Sequence, residues 1–143
     1  MARIAPTPKH LWVIGIIALL WNCVGAFDYL MTETRNAAYM AQFSQEQLDY
    51  FYGFPAWVVA FWALAVWSGV LGGILLLLRR RLAAPVFLVS LVAMVVTAVH
   101  NYGISDALSV AGVGGLVFSV VIFVISLGLW LYARAQAARG VLG

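Results

Sequence analysis

Four stretches of about 20 predominantly apolar residues, separated by short polar segments, leave this chain few folds to choose from. In hydrocarbon every backbone N–H and C=O must be bonded within its own segment, so such stretches form helices. They run over about 8–31, 55–78, 85–102 and 106–132, and at 1.5 Å per residue each reaches roughly 27 to 40 Å, enough to cross a bilayer core. Of the 143 residues 65% are hydrophobic and 9% charged, with a mean hydropathy of +1.01, so the spans consume most of the chain and leave nothing for a soluble catalytic domain. The fold class expected is all-α: one polytopic membrane domain over 1–143, a four-transmembrane-helix antiparallel bundle.

The ends of the spans carry their own signals. Thr7-Pro8 offers a helix cap followed by proline at the first helical position, and Gly103 offers a terminator for the third span. The residues Arg3, Lys9 and His10 followed by Leu11 to Trp21 imitate a secretory leader, with Val24-Gly25-Ala26 as a cleavage site, but apolar character continues through Phe27 to Met31, so a first transmembrane helix is expected. The one long connection, about 32–54, contains Ser44-Gln45-Glu46-Gln47, a capping-box pattern, with Leu48, Phe51 and Tyr52 at i, i+3 and i+4 behind it. A short amphipathic helix in this first outer loop follows. Tyr39, Phe43, Tyr50, Phe54 and Trp57 extend an aromatic belt that sets membrane depth.

Basic residues orient the bundle, because Lys and Arg are retained on the cytoplasmic side during insertion. Arg3, Lys9, Arg79, Arg80, Arg81, Arg134 and Arg139 flank one end of the four spans, and Arg35 alone shares the other end with Asp28, Glu33, Glu46, Asp49 and Asp106. Both termini are therefore expected in the cytoplasm. So lopsided a count argues against a dual-topology multidrug transporter. Eight basic residues scattered over short loops make no nucleic-acid surface. A single cysteine, Cys23, excludes a dithiol relay.

Each span carries a stripe of small or weakly polar residues that lets helices approach closely in lipid. The packing residues expected are Gly69, Gly72 and Gly73 in the second span and Gly115 and Ser119 in the fourth, where Gly112 extends the stripe. Asn22 must find a hydrogen-bond partner inside the bundle, with Thr97 and Asn101 at comparable depth. Asp28, near a helix end whose dipole disfavours an anion, requires a partner from His100, Tyr102 or Arg35. Asn22, Asp28, His100, Asn101 and Tyr102 thus form the candidate ligand- or partner-binding cluster. His10 and His100 lie at opposite ends of the bundle, which excludes a haem held by both within one chain, while a haem shared between chains or a pigment on His100 stays open. No metal-ligand spacing, phosphate loop, nucleophile elbow or paired intramembrane carboxylate is present, so no catalytic residue, metal or cofactor is expected.

Trp21-Asn22, Gly25 and Asp28-Tyr29, then Pro55-Ala56-Trp57, Gly69 with Gly72, and Leu75 to Arg81 leading into Pro85-Val86-Phe87 and Ser90-Leu91 give the chain a recognisable pattern. It resembles a group of small uncharacterised four-span bacterial inner-membrane proteins that often carry a sugar-transporter label. The resemblance covers most of the first three spans and implies a multi-pass protein of the bacterial inner membrane, without catalytic residues to carry over. Two functions compete, with a membrane enzyme, whose catalysis would have to rest on Asp28, His100 and Tyr102, ranked third. The first is a non-enzymatic accessory or binding component that contacts another membrane protein, a lipid or an apolar small molecule. The second is a small transporter or channel subunit working as a homo-oligomer, with a sugar-like solute by family label alone. The partners expected are the bilayer and either a larger membrane complex or further copies of the chain.

The charge asymmetry generates a direct test. Reporter fusions after Gly143 should be active only as cytoplasmic reporters, and fusions inserted in 32–54 only as periplasmic ones; periplasmic activity after Gly143 would overturn the topology.

Overall fold

The computed structural model describes residues 5–143, and its architecture follows the hydropathy. Six α-helices occur in the described residues: α1 (Lys9–Glu33), α2 (Ala37–Met40), α3 (Gln45–Tyr52), α4 (Ala56–Leu77), α5 (Ala83–Val99) and α6 (Ala107–Ala138). Four of them, with α5 extended to Ile104 by a π-helical turn, are long and apolar enough to cross a membrane. The protein is a multi-pass helical bundle in which α1 packs along α4, α4 along α5 and α5 along α6, while α1 and α6 approach one another far less closely.

Several boundaries differ from those expected. Pro8 itself is the N-cap of α1, and the Thr7 hydroxyl instead accepts a hydrogen bond from the Arg79 guanidinium at 3.3 Å. The third long helix starts at Ala83, with Pro85 in its first turn, where the missing N–H has no partner to lose. Gly103 does not end that helix, which widens over His100–Ile104 and closes with Ser105 N–H donating to the His100 carbonyl at 2.7 Å. The last helix continues past 132 to Ala138, since Ala133 to Ala138 are strong helix formers. Gly112 interrupts α6, and the unbroken stretch after it, 113–138, is roughly 39 Å long, still more than a bilayer core is thick.

At the end where the termini lie, the bundle is sealed. Leu11, Leu76, Phe87, Ala133 and Leu142 form a buried cluster drawn from all four long helices and the C-terminal residues. The chain after α6 folds back beneath it: Gly143 N–H donates to the Arg79 carbonyl at 2.8 Å, and Arg81 N–H donates to Gly143 at 3.0 Å. His10 Nδ1 meets the Tyr132 hydroxyl at 2.5 Å and joins α1 to α6 there.

Glycines on α4 set the interhelical spacing. A Cβ at Gly72 would stand 2.6 Å from the Phe87 ring on α5, and one at Gly73 would stand 3.1 Å from the Leu19 Cα on α1. Gly69 leaves the space taken by the Asn22 amide, and Ser90 on α5 donates to the Ala65 carbonyl on α4 at 2.6 Å. Gly112 serves a different purpose from packing. Its φ of 72° and ψ of −171° lie in a region open essentially to glycine, the space around it is empty, and it kinks α6 one turn after its start. Ala111 is the neighbour of Gly115 within the same helix.

Glycine-dependent approach should therefore differ by position. Gly72→Ala should cost roughly 1 to 3 kcal/mol, because the Phe87 ring it displaces is only 2% exposed. Gly15→Ala, which meets the flexible end of Leu77, should cost well under half of that. Melting of both variants in one detergent checks this, and equal stability of Gly72→Ala and the parent would contradict it.

Candidate functional site

The bundle that closes around Leu76 opens toward the other end. Between α1, α4, α5 and α6 lies a cavity of about 560 Å³ that extends from the loop end to the level of Ser90 and Ser126, near the middle of the spans. Its size suits a drug-sized molecule or an alkyl chain. α1 contributes Trp21, Asn22, Gly25 and Asp28; α4 contributes Trp62 and Ala65; α5 and its π turn contribute Thr97, Asn101 and Tyr102; α6 contributes Phe118, Ser119 and Ser126. On the α1–α6 side, the Trp21 and Phe118 rings face each other at 6.4 Å, and Phe118 is 58% exposed to the surroundings.

The polar groups in the wall are largely occupied by the protein itself. Asn22 donates to the Ala18 carbonyl of its own helix at 2.8 Å and does not pair with Thr97 or Asn101, as sequence depth suggested. Thr97 donates to the Met94 carbonyl at 2.7 Å, and the Tyr102 hydroxyl shares a 2.7 Å hydrogen bond with Ser119. Asn101 accepts from the Tyr50 hydroxyl at 3.1 Å, and Tyr50 also meets Ser105 at 2.7 Å. Such internal bonds use the donors of Thr97 and Ser90 and tie Tyr102 to Ser119, so these groups have less to offer a guest.

Asp28 finds a partner that the sequence did not suggest. The Tyr39 hydroxyl, from the first turn of chain after α1, donates to the Asp28 carboxylate. Arg35 lies instead over the Tyr52 ring at 4.2 Å, and His100 joins neither Asp28 nor the cavity wall. Only 6% exposed, His100 sits edge-on against Trp57 at 5.4 Å and Phe54 at 6.0 Å, with Nδ1 3.1 Å from the Asn101 amide oxygen. The five cluster residues thus divide: Asn22, Asp28, Asn101 and Tyr102 line one cavity, and His100 braces the wall behind Asn101. Among the described residues no three His, Cys, Asp or Glu side chains gather as metal ligands.

Local folding brings the loop over the cavity. α1 ends with Arg35 in the left-handed region at φ 53°, Asn36 N–H donating to the Met31 carbonyl at 3.0 Å and the Asn36 side chain capping α2 through Tyr39 N–H. That reversal places Tyr39 beside Asp28. Ser44 and Gln47 then form a reciprocal capping box at the start of α3, which sets Phe51 into the cavity wall.

No protein-family model matches this chain, and no curated protein or solved structure is similar to it.

Partial burial and the adjacent Asp28 carboxylate push the Tyr39 hydroxyl up to about 12 from the ordinary 10.0. An acid whose folded value is raised adds stability at pH below its unfolded value and loses it as pH climbs through the folded one. The Tyr39 contribution should therefore be intact below pH 10 and lost between about 10 and 12. The difference between the phenolate absorbance titrations of the parent and Tyr39→Phe should have its midpoint near 12, and a midpoint near 10 would show that the contact is not formed.

Proposed function

We propose that the protein is a non-enzymatic, multi-pass component of the bacterial inner membrane that holds an apolar or amphipathic molecule, such as a lipid chain, in the space between α1 and α6. In this reading both termini are cytoplasmic and the 32–54 segment is periplasmic, a placement supported by seven of eight basic residues flanking one end of the spans. The observation that carries the functional reading is the 560 Å³ cavity itself, lined by aromatic and small side chains in the half of the bundle away from the termini. The space is open between α1 and α6, so an apolar chain can enter it from the surrounding lipid and gain dispersion contacts with the walls that the four long helices present.

The cavity wall also bears on the kind of activity. The hydroxyls of Ser90, Thr97, Tyr102 and Ser119 are bonded to backbone or to each other, which favours retention of a molecule over its transformation. The alternative, a transporter or channel subunit working as a homo-oligomer, would place its route between copies of the chain, since the buried Leu11, Leu76 and Leu142 close the floor within one copy. The accessory role is the better fit: a protein that accepts a guest from the surrounding lipid and presents it to a neighbouring membrane protein.

Gly25 supplies the test. It lines the cavity, and a Cβ there would make an ordinary 3.7 Å contact with Val66, so Gly25→Leu fits the helix and projects bulk into the space. Native mass spectrometry of protein released from mild detergent should show an amphiphile adduct on the parent, with its occupancy reduced about tenfold or more in Gly25→Leu, equivalent to about 1.4 kcal/mol. Equal adducts on both proteins would contradict the reading.

A further inference from the structure

Cavity-lining aromatic rings stand in an unbroken series at the loop end. Tyr39 meets Phe43 at 6.1 Å, Phe43 meets Phe51 at 5.1 Å, Phe51 meets Phe54 at 6.4 Å and Phe54 meets Trp62 at 6.0 Å. All five line the cavity and roof it. The first ring of the series is the one whose hydroxyl donates to Asp28.

The charges are equally one-sided. Asp28 is the one formally charged side chain among the described residues of the wall, and no Lys, Arg or His lines the cavity. Arg35, the basic residue of this end of the bundle, is stacked on Tyr52, which lies outside the lining set. Asp28 accepts one hydrogen bond from Tyr39 and has no ion-pair partner among the described residues. A carboxylate without a countercharge in an otherwise uncharged wall attracts a guest that brings the opposite charge. Aromatic faces add to the preference, because their negative quadrupole attracts a cation over the ring. An anionic guest meets repulsion at the same place.

Building on the binding reading above, we infer that the cavity's guest is a lipophilic ammonium amphiphile, its cationic head held at Asp28 beneath the Tyr39 to Trp62 roof and its alkyl chain running down toward Ser90. The head carries no phosphate, since nothing in the wall would balance a second, negative charge. Distance along the cavity agrees with this division: the carboxylate and the roof lie at the loop end, and the wall deeper in the span, from Ala65 to Ser90 and Ser126, carries no charged side chain.

One brominated dodecyl chain carried on three heads separates the possibilities. With the protein in zwitterionic lipid nanodiscs, bromine quenching of tryptophan fluorescence reports arrival of the chain beside Trp21 and Trp62. Concentrations are expressed as mole fraction in the disc, and the saturable part of the quenching is the part that Gly25→Leu removes. The trimethylammonium head should half-saturate at least tenfold below the alcohol head, and the sulfate head should bind most weakly. Asp28→Asn, whose amide oxygen can still accept from Tyr39, should erase the preference for ammonium over alcohol, and Asp28→Glu should retain the preference. Equal half-saturation for ammonium and alcohol in the parent, or a preference that survives Asp28→Asn, overturns the cation assignment but leaves the binding reading standing. If none of the three heads gives quenching that Gly25→Leu removes, both fail together.

Discussion

The close approach that glycines permit on α4 governs the shape of the whole bundle. Gly72 admits the Phe87 ring from α5 and Gly73 admits the backbone of α1 at Leu19, so three helices converge at the end where the termini lie. Farther along α4 the inward positions are Val58, Trp62 and Ala65, and Trp62 carries the Phe54 ring against it. On the side away from this convergence α1 and α6 do not close on one another, and the space between them, lined in part by these α4 residues, is the cavity.

The cavity's chemistry depends on where the polar groups spend their hydrogen bonds. Ser90 bridges to α4, Thr97 and Asn22 bond back to their own helices, and Tyr102 pairs with Ser119, which leaves dispersion as the main interaction the wall can offer. Asp28 is the exception. Its carboxylate lies at the loop end beside the Tyr39 ring, and the guest proposed above rests on that contrast, shape for the chain and charge for the head.

The helices were legible because hydropathy over some 20 residues is a strong signal, and the Ser44–Gln47 capping box was legible because four consecutive residues encode it. Partners of the polar residues were not. Tyr39 reaches Asp28 through a reversal that begins with a left-handed Arg35, a conformation that residue type does not announce. The π turn at His100 adds one residue to the turn and sends Asn101 and Tyr102 to the cavity wall while His100 braces them from behind; periodicity of 3.6 cannot anticipate that shift. Glycine was ambiguous in a different way. Gly72 and Gly112 look alike in a small-residue stripe, yet one is needed for the space beside its Cα and the other for its φ, and that distinction depends on neighbours distant in sequence.

The central claim is that a guest occupies the interior of the bundle as well as its surface. Proton–proton cross-peaks between the alkyl chain of an added amphiphile and the protein's methyl groups, measured in deuterated lipid nanodiscs, test it most directly. The account predicts cross-peaks from the chain methylenes to the Ala65 and Ala98 methyls, which line the cavity. Cross-peaks confined to outward methyls such as those of Val120 and Val124, with none to Ala65 or Ala98, would contradict it.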